Sequence, residues 1–192
     1  MIRKDQKDKK EERKKEEEAV QNDGSRIIFI SGEINEEVTR SVIHSLLRLQ
    51  KDDPIQEIKL VIDSYGGYLD SMFAIADTMN LIYPEIETIC IGKAMSAAAF
   101  IFVNGAKGKR YMTPHSTLML HQASGATWGT TADIEIKIAQ QRKMQELMIK
   151  ELSDRSNLMV DEVRELIDRD CFLSPEDAIK IGICDGIITR LQ

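Results

Sequence analysis

Cys90-Ile-Gly-Lys-Ala-Met-Ser-Ala-Ala-Ala-Phe100 is the stretch in which a strand pattern gives way to a helix pattern. The apolar run Ile86 to Ile91 reads as a strand and Gly92 as its turn, with a helical run following as far as Asn104-Gly105. Ser96 then falls at the start of that helix. A hydroxyl placed there lies beside backbone N–H groups that have no intrahelical acceptor and near the positive end of the helix dipole, so negative charge developing next to it is stabilised. Ala94 and Ala98 stand two residues to either side, where a nucleophile elbow carries glycines, and Ala97 and Ala99 also leave room for a substrate backbone. Two readings are open: Ser96 is a nucleophile, or it caps a buried helix of small residues.

Toward the N-terminus, the β-branched and aromatic run Arg26 to Ser31, ended by Gly32, reads as the first buried strand. Asn35-Glu-Glu37 is a helix start, after which Val38, Val42, Leu46 and Leu49 recur at helical spacing, with His44 off that stripe as a surface residue. Ile58 to Ile62 is a second strand, and Asp63 to Gly67 is a turn into a helix whose Leu69, Met72, Phe73, Ala76 and Met79 share one face. Gly66-Gly67 is either a tight turn or a device that exposes backbone N–H groups above the sheet.

Beyond the Ser96 segment, Gly105-Ala-Lys-Gly-Lys-Arg110 reads as a surface turn with solvated basic residues. Ser116 to Leu120 alternates as a strand and delivers His121-Gln122 to its end, before the loop Ala123 to Gly129; His115, beside Pro114, belongs to a turn. Residues 131–156 contain neither proline nor glycine and form one helix, which at 1.5 Å per residue spans about 38 Å. So long a helix must protrude from a domain of this size, and its apolar side chains then need a partner. Val160 to Ile167 is a short helix, Asp168-Arg-Asp170 a polar turn, and Ser174-Pro-Glu the cap and first turn of a last helix ended by Gly182. Strand, glycine turn and helix repeat in that order, which is the pattern of an α/β fold with mainly parallel pairing.

The 192 residues suit one domain, 26–192, preceded by a low-complexity tail, 1–25, in which eight basic and eight acidic side chains cancel. Net charge is −6, so there is no basic footprint for nucleic acid. Cys90, Cys171 and Cys184 form neither an even disulfide framework nor a zinc-binding pattern, which fits a reducing cytoplasm. No apolar run reaches the length of a membrane span, and no secretory h-region follows the first basic residues; a soluble, non-secreted protein is expected.

Ser96, His121 and Asp170 are each set at a turn, and together they supply a hydroxyl, an imidazole and a carboxylate. The stretches Ile62-Asp-Ser-Tyr-Gly-Gly67, Cys90 to Ser96, Gly105 to Arg110, Leu120-His-Gln122, Asp133-Ile-Glu-Ile136 and Arg169-Asp-Cys-Phe-Leu-Ser174 resemble the Clp protease proteolytic subunits, peptidase family S14. The resemblance runs from Arg26 to Thr189 and implies a crotonase-like ββα superhelix with a protruding handle helix. It also implies a serine endopeptidase with Ser96 as nucleophile, His121 as base, Asp170 as orienting acid and the N–H groups of Gly67 and Ala97 as oxyanion donors. Extended polypeptide would pair with backbone near Gly66-Gly67 and Gly125-Ala126. Neither metal nor cofactor is called for.

The same resemblance implies two stacked seven-membered rings with Asp168 and Arg169 at the ring–ring contact, and an ATP-driven unfoldase as partner. This chain departs from the family pattern with Tyr65 in place of a proline and Ala97-Ala98 in place of Met-Gly. Lys59, Val61 and Leu81 stand at positions where the unfoldase-docking pocket commonly offers aromatics, so docking is expected to be weak. A crotonase-type acyl-CoA-binding protein and a non-catalytic ring scaffold are the alternatives.

Overall fold

The computed structural model describes residues 26–191; the charged segment 1–25, expected to be a tail, lies outside the described residues. Among the described residues seven strands make one sheet in the order β1-β2-β3-β4-β7, with β5 pairing β3 and β6 pairing β5. They are β1 (Ile27–Ile34), β2 (Ile58–Gly67), β3 (Ile86–Met95), β4 (Arg110–Met112), β5 (Thr117–Leu120), β6 (Cys171–Leu173) and β7 (Gly186–Ile187). Every pairing is parallel except β5 with β6. The α/β class with mainly parallel pairing is therefore the one the alternating pattern implied.

Six helices complete the described chain: α1 (Glu36–Asp52), α2 (Leu69–Leu81), α3 (Ala97–Val103), α4 (Thr131–Asp154), α5 (Val160–Leu166) and α6 (Pro175–Lys180). Asn35 caps α1 by accepting from the N–H groups of Glu37 and Val38, and Val38, Val42, Leu46 and Leu49 are buried as the periodicity required. Every residue of α3 is buried, and the helix packs on β2, β3 and α2 at the centre of the core. In α4 the burial is confined to Met148, Ile149 and Leu152, while Ile136, Ile138 and Leu147 are exposed, so much of its roughly 36 Å length stands clear of the domain. No helix among the described residues is long and apolar enough to cross a membrane.

Four expectations need correction. Gly32 does not end β1 and Gly92 does not end β3, since both strands continue beyond the glycine, and Asp63 to Gly67 is not a turn but the last part of β2. Gly32 and Gly92 have φ of 78° and 65°, values that permit irregularities inside a strand whose neighbours keep it extended.

The fourth concerns Gly105 to Arg110: the turn is there and Lys107-Gly108 is exposed, but Lys109 and Arg110 are not solvated. Arg110 is only 3% exposed; its Nε donates to Asp185 Oδ2 at 2.8 Å and its Nη2 to Asp185 Oδ1 at 2.7 Å. Further donations reach the carbonyls of Arg155 and Gly182, both at 2.7 Å. Burial pushes the Asp185 carboxyl up, but the Arg110 hydrogen bonds and charge outweigh it and hold the group below the usual carboxylate range. Lys109, in the same stretch, is paired with Glu57 and Glu85.

Candidate active site

Ser96 occupies the single residue between β3 and α3, with φ 54° and ψ −122°. Such a conformation costs a non-glycine residue on the order of 1–3 kcal/mol and persists only where neighbouring contacts enforce it. Here the Ser96 N–H donates to Met119 O at 2.8 Å and its carbonyl accepts from Phe100 N at 3.1 Å, which fixes the peptide on both sides. Gly66 closes the third side: a Cβ added there would lie 2.6 Å from Met95 O and 2.9 Å from the Ser96 Cβ. The hydroxyl makes no helix-capping bond. It lies instead 2.8 Å from His121 Nε2.

His121 reaches that position because β5 pairs with β3, setting Met119 against Met95, and ends one residue before the imidazole. Asp170 reaches it through β6, a strand that the polar-turn reading of 168–170 did not anticipate. β6 runs antiparallel to β5 with Leu120 opposite Cys171, so the next position along the register brings Asp170 opposite His121. His121 Nδ1 and Asp170 Oδ1 are 3.3 Å apart. A neutral imidazole that donates from Nδ1 to the carboxylate presents Nε2 as acceptor to the serine hydroxyl, the tautomer that proton abstraction requires. The imidazole is largely enclosed and the carboxylate is 61% exposed.

Ser96 and His121, but not Asp170, open onto a cavity of about 570 Å³ whose wall also includes Gly67 and Ala97, with Met72, Phe100, Leu120, Met144 and Met148 as apolar lining. Ala97, the first residue of α3, has no intrahelical acceptor for its N–H. Gly67 sits where only a glycine fits, pressed against the Ile34 backbone. Gly125 and Ala126 lie in the exposed loop after His121; their neighbours Ala123 and Ser124 line the cavity and they do not. The α4 residues Ile136, Lys137, Gln140 and Gln141 also form the wall, a contribution that the periodicity of residues 131–156 did not indicate. A larger cavity, about 660 Å³, lies between α2 and α4 and shares only Met144 with the first.

Asp168 and Arg169 are exposed, with 3.4 Å between Asp168 Oδ2 and Arg169 Nη1. Gln122 ties their turn to the site, its N–H donating to Ile167 O at 2.6 Å and its side-chain amide to Asp168 O at 2.8 Å. Lys59 is answered by Glu87 at 3.1 Å and Glu57 at 3.9 Å; Val61 is buried and Leu81 is 80% exposed. All three thiols are free. Burial pushes the Cys90 thiol up to about 12 and the Cys171 thiol above its ordinary value, so neither is a ready nucleophile.

Hydroxyl, imidazole and carboxylate follow one another in the contact order by which acyl-transfer triads are recognised on unrelated folds. The chain belongs to the Clp protease family, whose model matches residues 10–191 and so begins within the charged segment. Membership supports a peptidase role in general terms.

Proposed function

We propose that the chain is a serine endopeptidase cleaving unfolded polypeptides and peptides, with Ser96 as nucleophile. The observation that carries this reading is the 2.8 Å contact between Ser96 Oγ and His121 Nε2 at a strained strand-to-helix junction. His121 takes the hydroxyl proton as Oγ attacks the peptide carbonyl, and Asp170 holds the imidazole in the accepting tautomer. The N–H groups of Gly67 and Ala97 receive the oxyanion. His121 then returns the proton to the departing amine, and water attacks the acyl-enzyme by the same relay. An extended substrate adds as a strand alongside Gly66-Gly67 and Gly125-Ala126.

The cutting chamber is formed by two stacked heptamers in the cytoplasm, with the exposed apolar side chains of α4 covered by the second ring and Asp168 and Arg169 at the ring–ring contact. An AAA+ unfoldase supplies folded substrates, docking weakly where Lys59, Val61 and Leu81 stand.

A serine-directed phosphonate tests the reading: it is expected to leave one covalent adduct, on Ser96, with matching loss of peptide cleavage. A crotonase-type protein would bind acyl-CoA and take no adduct, and a scaffold would do neither; either result overturns the assignment. The Gln122 bonds to the 167–168 backbone couple the ring contact to the site, so Arg169→Ala is expected to lose double rings and peptidase activity together. Native mass spectrometry finding active single rings, or intact but inactive double rings, would break that coupling.

A further inference from the structure

β2 and β3 run in simple register from Ile58 opposite Ile86 to Ile62 opposite Cys90, and pairing resumes at Ser64 opposite Ala94. Two steps along β2 are thus matched by four along β3, so that Ile91, Gly92 and Lys93 face the single residue Asp63, an excess of two. Beyond this irregularity the two strands carry the groups that must be mutually aligned: Gly66 and Gly67 at the end of β2, and Ser96 just after β3. Ladder hydrogen bonds fix strand spacing elsewhere in a sheet, but a bulge interrupts them. The Tyr65-Gly66-Gly67 backbone also includes two glycines, the residues with the greatest conformational freedom.

Lys93 spans the interrupted stretch. Its ammonium donates to Asp63 Oδ1 at 2.7 Å and lies 4.3 Å from the centroid of the Tyr65 ring. Asp63 and Tyr65 flank Ser64, whose hydroxyl donates to Gly32 O and accepts from Gly66 N at 3.0 Å. Gly66 in turn abuts Met95 O and Ser96 Cβ with no space for a methyl group. Gly92 has no side chain to displace the Asp63 carboxylate, since a Cβ there would come within 3.0 Å of Oδ1. The Asp63 hydrogen bond, opposed by partial burial and helped by the carboxylate charge, raises the Lys93 ammonium above its ordinary value and keeps it cationic.

We infer that Lys93 is a positioning residue for acyl transfer: by clamping Asp63 and Tyr65 to β3 it sets the distance between the Gly67 amide and Ser96. This rests on the proposed roles of Ser96 and Gly67. The ion pair is partly exposed, so its contribution to global stability is small. Its effect is expected on rate, because misplacing a reacting group by about 1 Å costs on the order of a hundredfold.

The test compares Lys93→Met, Lys93→Arg and Asp63→Asn in the assembled protein, reading kcat and KM for a short peptide, the rate of phosphonate modification, thermal midpoint and particle mass. Lys93→Met is expected to lower kcat and the modification rate together by about tenfold, a tenth of the full misplacement penalty. KM should stay within about twofold, the thermal midpoint and particle mass should not change, and Lys93→Arg should restore the rate because a guanidinium keeps both the ion pair and the ring contact. Asp63→Asn should slow the reaction and add little to Lys93→Met. The inference is overturned if Lys93→Met keeps kcat within twofold, if Lys93→Arg is as slow as Lys93→Met, or if the loss follows a lower thermal midpoint or smaller particles. A wild-type protein that takes no adduct on Ser96 overturns the underlying protease reading, an outcome visible before any Lys93 variant is made.

Discussion

Ser96→Ala is expected to abolish peptide hydrolysis while leaving the fold unchanged. In triads of this kind, removal of the nucleophile costs on the order of a millionfold in kcat, and what remains comes from the oxyanion donors and substrate binding. The fold is spared because the substitution removes one oxygen whose only partner among the described residues is His121 Nε2, and the α3 start is held by backbone bonds to Met119 O and from Phe100 N. Alanine at φ 54° retains the strain that serine bears there, so stability should change little. Peptide cleavage by purified wild-type and variant protein, with unfolding curves alongside, measures both parts. Undiminished cleavage by a folded variant would remove Ser96 from the chemistry.

The largest expected effect on stability lies far from the site. Asp185→Ala leaves the Arg110 guanidinium buried without its counter-charge, and breaking a buried pair from one side costs about 3–5 kcal/mol. A domain of this size holds roughly 5–15 kcal/mol in all. At 2–4 °C per kcal/mol the midpoint should fall by roughly 6–20 °C. Asp185 also accepts from the N–H groups of Gly108 and Arg110, so the change additionally frees the loop before β4. The wild-type pair has a pH signature of defined sign. Because the folded carboxyl sits below its ordinary range, its stabilisation is complete above that range and is lost as the pH falls toward the depressed value. Acid should therefore narrow the gap between wild type and Asp185→Ala, and a gap that stays constant from neutral pH to the acid limit of folding would refute the ion-pair account.

Arg110 also shows why parts of the fold could not be read from the sequence. Gly105-Ala-Lys-Gly-Lys-Arg110 has the composition of a solvated turn, and its decisive partner, Asp185, is 75 positions away. Local signals succeeded where the cause is local, as at the Asn35 cap, the Val38–Leu49 stripe and the Ser174-Pro175 start of α6. Glycine misled wherever neighbouring strands override it, so β2 and β3 run on past positions taken as turns. Strands of two or three residues, β4, β6 and β7, are too short to show any period. The junction positions of Ser96 and His121 were legible. That Asp170 meets His121 was implied only by the family resemblance, since no local pattern shows the β6 strand on which it depends.

That dependence determines how the site comes apart. β6 has three residues and, among the described residues, pairs with β5 alone and has no neighbour on its other side. Elements with so few bonds open at free energies well below that of global unfolding. The carboxylate at its entry thus sits on a short marginal segment of the sheet, whereas serine and imidazole are anchored in its middle. Alignment of the proposed relay is consequently a separate equilibrium from folding: a small perturbation at the sheet margin is expected to leave every described helix in place and still silence the proposed chemistry.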